Sequence, residues 1–290
     1  VRAQLNVNTG FSANAHDYIE LSPTRAYVSR YYSNRDAGRV PFDAGGDLLI
    51  IDPTLPAVVG RIDLAGKGGA FLANPDRMRR VGGDVVVTLA RLDAGFASAG
   101  DGLLVGIDAA TDTVSWDASL PGLSNCSGLA LSPSGGLLAV SCSGVFSGGP
   151  VAQAAHSDVV VFDTASRPPV ERARYGVPSK LDGQALAPPL AFATEDLLLG
   201  VSSGDLAAGR PDKGFSLTLS TGVVTTFTHA PPFALGDLLC LPGCSARCFL
   251  ADASRGAIVR LDIASGSVTA GPALQVDTTT GLPPRSLSVF

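Results

Sequence analysis

One phrase recurs along this 290-residue chain and constrains its fold more than any other feature: a short β-branched run closed by Asp, a turn, and a second alternating run. It reads Leu48-Leu-Ile-Ile-Asp52 before Ala57-Val-Val-Gly-Arg-Ile-Asp63, and Leu103-Leu-Val-Gly-Ile-Asp108 before Thr113-Val-Ser-Trp116. It returns as Asp158-Val-Val-Val-Phe-Asp163 before Pro169-Val-Glu-Arg172, and as Ala257-Ile-Val-Arg-Leu-Asp262 before Ser267-Val-Thr269. A weaker copy, Phe215-Ser-Leu-Thr-Leu219 before Val223-Val-Thr-Thr226, has Ser220-Thr221-Gly222 where the others put Asp. Period-2 alternation around turn residues is the pattern of a β-hairpin. Upstream of each copy lies another hairpin: Asp17 to Leu21 with Ala26 to Tyr31, Met78 to Val81 with Val85 to Leu89, and Ser127 to Leu131 with Leu137 to Ser141. Leu190 to Ala193 with Leu197 to Val201, and Asp237 to Leu241 with Cys248 to Ala251, complete the set. Two hairpins per unit of roughly 45 to 55 residues predict an all-β chain, a β-propeller of four-stranded antiparallel blades.

Composition agrees. With 34 Gly, 20 Pro and 23 Asp against 3 Glu and 3 Lys, turn formers outnumber the straight-chain residues that favour helices, which excludes helical bundles and alternating strand-helix folds. Five complete blades run from about Ala13 to Asp277, leaving Arg2 to Asn8 and Arg285 to Phe290 over. Since ring closure removes open sheet edges, the expectation is one domain, 1–290, with a sixth blade shared between the termini; five blades with flanking end segments, or seven, are the alternatives.

Ala26-Tyr-Val-Ser-Arg30 and the following Leu48 to Leu64 stretch resemble the YVTN-type propeller repeat of secreted and surface-layer proteins. That repeat has a Tyr-Val-Thr-Asn strand, a strand ending in Ile-Asp, and a Val-Val-x-x-Ile strand. The chain departs from it at Ser29-Arg30 and by a long insertion before Leu48. The blade plan also resembles that of predicted bacterial surface lipoproteins. The resemblance implies fold and says almost nothing about function.

The formal charge is −5 with no run of four basic residues, which gives no footprint for nucleic acid. Apolar runs such as Leu48 to Ile51 are strand-length, far below the roughly 18 to 20 residues of a membrane helix. Cys126 and Cys142 lie symmetrically about a turn centred on residue 134, and Cys240 and Cys248 about residue 244. Both pairs are expected to be cross-strand disulfides, placing the chain in an oxidising compartment: extracellular, periplasmic or on the outer surface. Free thiols, or a zinc site from Cys240, Cys244 and Cys248, are the alternatives; Cys244 is the odd thiol and could pair intermolecularly.

The turn aspartates Asp52, Asp108, Asp163 and Asp262 are expected to bond their own turn backbone. The loops between the second and third strands are long in four blades, Tyr32 to Gly46, Asp93 to Gly102, Ser143 to Ser157 and Ser202 to Gly214, and mark the face where a rigid ring would carry its binding site. Polar lead-ins to the inner strands, Asn14-Ala-His-Asp17, Asn74-Pro-Asp76, Asn125-Cys-Ser127 and Asp182-Gly-Gln184, open on the same side. The candidate ligand-binding residues are His16, Asp17, Tyr31, Arg35, Asp36, Arg91, Asp93, His156 and Asp158, with Tyr27, Tyr32, Asn34 and Arg39 nearby. Trp116 is expected to pack between blades, and His229 to lie at the surface. Gly200-Val-Ser202-Ser-Gly204 lacks the helix a nucleophile elbow needs, and no phosphate loop, haem motif or calcium loop is present. No cofactor or metal is expected. The composite expectation is a secreted or surface propeller that binds a protein or glycan, or serves as an accessory subunit of a surface assembly; the competing class is a lyase or lactonase-like enzyme using His16, Asp17 and His156.

Overall fold

The computed structural model describes residues 4–241, 247–276 and 283–288. The chain packs as two compact units, Val1–Ser127 and Gly128–Phe290. The first holds two four-stranded antiparallel sheets, each in sequential order. One is β1 (Ala15–Ser22), β2 (Arg25–Ser33), β3 (Gly45–Asp52) and β4 (Ala57–Asp63); the other is β5 (Pro75–Val81), β6 (Asp84–Leu89), β7 (Asp101–Asp108) and β8 (Thr113–Ser124). The third sheet starts with β9 (Cys126–Leu131), whose first two residues close the first unit, and continues with β10 (Leu137–Ser143), β11 (Ser157–Asp163) and β12 (Val170–Arg174). The second unit continues with β13 (Leu186–Phe192), β14 (Leu197–Ser202), β15 (Asp212–Thr218) and β16 (Val223–Ala230), then β17 (Leu235–Cys240), β18 (Arg247–Asp252), β19 (Ala257–Ala264) and β20 (Ser267–Gln275). Two short helices, α1 (Gly149–Ala155) and α2 (Val177–Lys180), sit in connections.

The strands are the hairpins expected from the repeats, and their burial explains the near-continuous apolar runs. β6 and β14 are buried at every residue, because each middle strand has a core on both faces. Leu103, Val105 and Ile107 on alternate positions of β7 join Tyr27, Leu48 and Met78 in a core between the first two blades. In the second unit, Leu198 and Phe215 face one core with Val159 and Val161, while Leu199 and Val201 face another with Leu250 and Leu261. Connections satisfy their backbone by borrowing carboxylates from the third strand. Asp158 accepts the N–H groups of Gly176 and Val177, both at 2.9 Å. Asp212 accepts those of Gly204, Phe233, Ala234 and Leu235 at 2.6–3.0 Å.

The sixth blade is not formed among the described residues, which hold five blades and no closed sheet. Near the N-terminus, side-chain bonds compete with strand pairing: Asn6 Oδ1 accepts Asn8 N–H at 2.9 Å and Asn8 Oδ1 accepts Ala13 N–H at 3.0 Å. Leu5 and Val7 instead pack on Val28, Leu49 and Ile51. Near the C-terminus, Pro283 and Pro284 offer no N–H. Arg285 O nevertheless accepts Asp237 N–H at 3.2 Å, and Asp237 Oδ2 accepts Leu287 N–H at 3.2 Å, so this segment lies along β17 without becoming a strand.

Arg30, the residue that departs from the Tyr-Val-Thr-Asn pattern, is fully buried. Its guanidinium meets the equally buried Asp47 in two bonds of 2.8 and 2.7 Å, donates to Thr9 Oγ1 and Phe42 O at 2.6 Å, and lies 5.3 Å from the Phe11 ring centroid. Cys240 and Cys248 are directly paired across β17 and β18 and form a disulfide. Cys126 and Cys142 are disulfide-bonded as well. Cys244 lies outside the described residues. Trp116 is engaged within its own blade: it is paired with Gly106 across β7 and β8, and its Nε1–H donates to Asp84 at 2.8 Å.

A Cβ on Gly106 would lie 2.1 Å from Trp116 Cε2. Gly106→Ala must therefore push the indole off Asp84. It should cost about 1–3 kcal/mol, the usual range for overpacking, which is a melting point lowered by several degrees; a melt unchanged from wild type would show that the ring has room to shift.

Candidate functional site

Four lead-ins to inner strands carry a polar residue in the left-handed conformation: Asn14 (φ 50°), Asn74 (φ 49°), Asn125 (φ 51°) and Asp182 (φ 57°). Asn and Asp tolerate this region better than other side chains. Their regularity is thus a backbone requirement, which accounts for part of the polar signal in the sequence. Asn74, fully buried, also donates to Tyr31 O at 3.1 Å and accepts Leu92 N–H at 2.9 Å, fixing the end of β2 against the base of the loop that follows β6.

On that support the first unit assembles a row of rings. His16 stacks on Tyr31 with centroids 4.3 Å apart and planes 16° apart; Tyr31 meets Tyr32 edge-on at 5.7 Å; Tyr32 meets Phe96 at 6.1 Å. Exposure rises along the row, from 8% at Tyr31 to 37% at Tyr32 and 44% at Phe96. Burial, then the nearby Asp76 and Tyr32, push the Tyr31 hydroxyl well above the usual phenol range, so it stays protonated at neutral pH. At the inner end, His16 Nδ1 is 3.0 Å from the buried Asp76 carboxylate and Nε2 is 3.0 Å from the Asn14 amide. Phe96 holds an unusual backbone, with φ 58°. A bulky side chain there is a genuine outlier. Asp93 imposes it, its carboxylate accepting Gly95 and Ala97 N–H at 2.9 and 3.0 Å and the Ser98 hydroxyl.

The sequence candidates separate on this geometry. His16 and Tyr31 belong to the row, and Asp93 builds the turn that carries its outer ring. Asp17 is committed to the backbone, accepting Met78 N–H at 2.7 Å on the next blade. Arg91 spends its guanidinium on Gly68 O and Asp101 O at 3.2 and 2.9 Å. Arg35 and Asp36 are exposed on the loop 34–44, which folds around the buried Asp43 carboxylate through the Gly38, Arg39 and Val40 N–H groups. In the second unit, Asp158 is 7% exposed and bound by backbone N–H groups, and His156 caps the C-terminus of α1. Sequence reasoning missed Asp76 as the partner of His16 and Phe96 as a row member. Nothing in the spacing of either residue announces these roles. Among the turn aspartates, Asp52, Asp108 and Asp163 each accept a turn N–H at 2.8–2.9 Å. Asp262 instead lies within β19, beside Arg260. Among the described residues, no group of three or more His, Cys, Asp or Glu side chains could hold a metal ion, and no helix is long and apolar enough to cross a membrane.

No protein-family model matches the sequence, and no curated protein sequence matches it significantly. Comparison with solved structures does establish the fold as a β-propeller. A structure of KlAtg21 with the coiled-coil of AgAtg16 superposes with a TM-score of 0.58 at 15% identity, over 92% of this chain and 72% of that one. The WD40 domain of coronin from Toxoplasma gondii gives 0.57 at 8% identity, over 92% and 60%. A candidate 6-phosphogluconolactonase from Bacteroides fragilis gives 0.53 at 10% identity, over 88% and 68%.

The Ser98 hydroxyl first, then the Ala97 N–H, hold the Asp93 carboxyl below the usual carboxylate range. A depressed folded value means that the turn is stabilised above the unfolded value of about 3.9 and loses that support as pH falls through the folded one. In an NMR titration from pH 5 downward, the Gly95 and Ala97 amides and the Phe96 ring should shift together with a midpoint below 3.9. A midpoint at or above it would mean that these bonds do not hold the turn.

Proposed function

We propose that this chain is a secreted or surface-exposed recognition module of the YVTN type, which binds a protein partner through the row His16, Tyr31, Tyr32 and Phe96. The observation that carries the reading is the exposure of Tyr32 and Phe96 on a rigid support, with Phe96 held in a conformation that costs about 1–2 kcal/mol for an L side chain. Folding alone has no use for an exposed ring at that cost. Tyrosine and phenylalanine are the side chains enriched in protein contacts, where they bring large area with few rotatable bonds. The fold is shared with a WD40 domain and with KlAtg21 in a structure containing a coiled-coil segment, which favours a protein over a glycan. Two disulfides favour an oxidising compartment.

An enzymatic reading has one observation in its favour: Asp76 orients His16, as a general base would require, on a fold shared with a candidate lactonase. Asn14 would have to release Nε2 before that base could act. The two readings part on His16→Asn, which would abolish any turnover and leave partner binding reduced only at the His16 end of the row.

The test pairs capture of partners from native culture fractions with measured affinity for the purified partner. Phe96→Gly relieves the backbone strain and adds a chain-entropy cost of about 0.5–1 kcal/mol, so its melting temperature should be unchanged or slightly raised. Binding by Phe96→Gly with Tyr32→Ser should fall at least about tenfold, the scale of an interface hot spot. Equal binding by wild type and the double variant would overturn the proposal, and binding abolished by deglycosylating the partner would move it to glycans.

A further inference from the structure

We infer that the edge of the fifth blade along β17 is a docking site for an extended segment of a partner protein, one that carries an Arg and, two residues on, an apolar residue with a free N–H. The chain's own segment 283–288 fills this edge and is the element such a partner displaces. Its contacts define the receptor. Asp237 N–H donates to Arg285 O and the Asp237 carboxylate accepts Leu287 N–H, both at 3.2 Å, while Phe233 O accepts Arg285 Nη1–H at 2.8 Å. A Cβ on Gly236 would stand 3.0 Å from Arg285 O and 3.4 Å from its Cα, so glycine there leaves the room that a crossing chain needs.

The first unit makes the same link permanent. Asp17 and Asp237 each accept the N–H of the residue that follows through one oxygen, Tyr18 at 3.0 Å and Leu238 at 3.1 Å. Through the other oxygen each accepts an N–H from a distant segment, Met78 at 2.7 Å and Leu287 at 3.2 Å. Met78 lies in β5, the first strand of the next blade, so β17 offers segment 283–288 the seat that β1 offers a strand. What differs is the hold on the occupant. Met78 is 1% exposed and pairs with Val87 of β6, which anchors β5 from its other side. Segment 283–288 belongs to no strand, three hydrogen bonds hold it among the described residues, and none of its six residues is buried.

Release also costs the receptor little. Gly236 and Asp237 are half-buried with the segment in place and Phe233 is 46% exposed, so water reaches the groups that the segment leaves and none becomes a buried unpaired donor or acceptor. The lead-in keeps its shape, because Asp212 holds the Phe233, Ala234 and Leu235 N–H groups and Asp237 keeps that of Leu238. A receptor that stands without its occupant, and an occupant with no buried residue to lose, form an exchangeable pair. The bonds of the resident segment state the chemistry of its replacement: main-chain pairing demands an extended backbone, Phe233 O a guanidinium, and the Asp237 carboxylate an N–H two residues further on.

The test is fluorescence anisotropy with the labelled peptide fluorescein-Pro-Pro-Arg-Ser-Leu-Ser-amide and the full chain. Leu287→Pro removes the N–H that Asp237 accepts and weakens the resident segment, which competes as a tethered ligand. This variant should bind the peptide at least about tenfold more tightly than wild type, with its melting temperature within about two degrees of wild type. Arg285→Ala, which loses the bond to Phe233 O, should act in the same direction. In the Leu287→Pro background, a peptide N-methylated at Leu, or Asp237→Ala in the protein, should weaken binding about tenfold, the scale of one hydrogen bond to a charged group. Equal peptide binding by wild type and both segment variants, or a Leu287→Pro chain that fails to fold, would overturn the exchange. A wild-type dimer that Leu287→Pro dissolves would overturn the partner, since the occupant would then be the segment of a second copy.

Discussion

Every blade of this fold must return its chain from an outer edge strand to the inner strand of the next blade, and the N–H groups of that return have no ladder to join. The carboxylate at the head of the third strand resolves the problem. Asp101 accepts Gly122 N–H, Asp158 takes two such groups and Asp212 takes three, together with the Gly204 N–H from the loop before its own strand. Buried backbone donors left unpaired would cost about 1–3 kcal/mol each, so in the third and fourth blades one aspartate stabilises the connection that leaves the blade. The first blade keeps the acid, Asp47, but gives it to Arg30.

The same chemistry builds the loops. Asp43, Asp93 and Asp205 each gather two or more backbone N–H groups from their own loop. Loops folded around a carboxylate hold their side chains in place before any ligand arrives, and preorganisation of this kind lowers the entropic cost of binding. An aspartate-rich, glutamate-poor composition suits it, since the shorter side chain reaches the amides two and three residues on.

Strands and hairpins were legible in the sequence because alternation, turn aspartates and glycines all state the same thing. The Cys240 and Cys248 pairing followed from symmetry about a turn, which a regular ladder respects. Blade number was less accessible: an alternating run such as Arg2 to Asn8 looks like a strand, yet Asn6 and Asn8 satisfy the backbone locally. The candidate sites were legible as loops and hardly at all as residues. His16 and Tyr31 stood out by type, whereas Asp76 was visible only as part of a polar lead-in and Phe96 follows no spacing rule. What distinguishes them is a neighbour distant in sequence or a positive φ, and neither is written in composition or periodicity. Conversely, Asp17, Arg91 and Asp158 looked like ligand groups and are bound to backbone.

The burial of Arg30 bears on how the protein can be divided. Its charge is screened from water by Asp47 on one side and, on others, by Val7 O, Thr9 and Phe11 from a segment that belongs to no strand. A fragment trimmed to begin at the first strand would retain every ladder of the first blade and open a guanidinium-carboxylate pair to solvent at its centre. Domain boundaries drawn from strand assignments alone would therefore cut away part of the core.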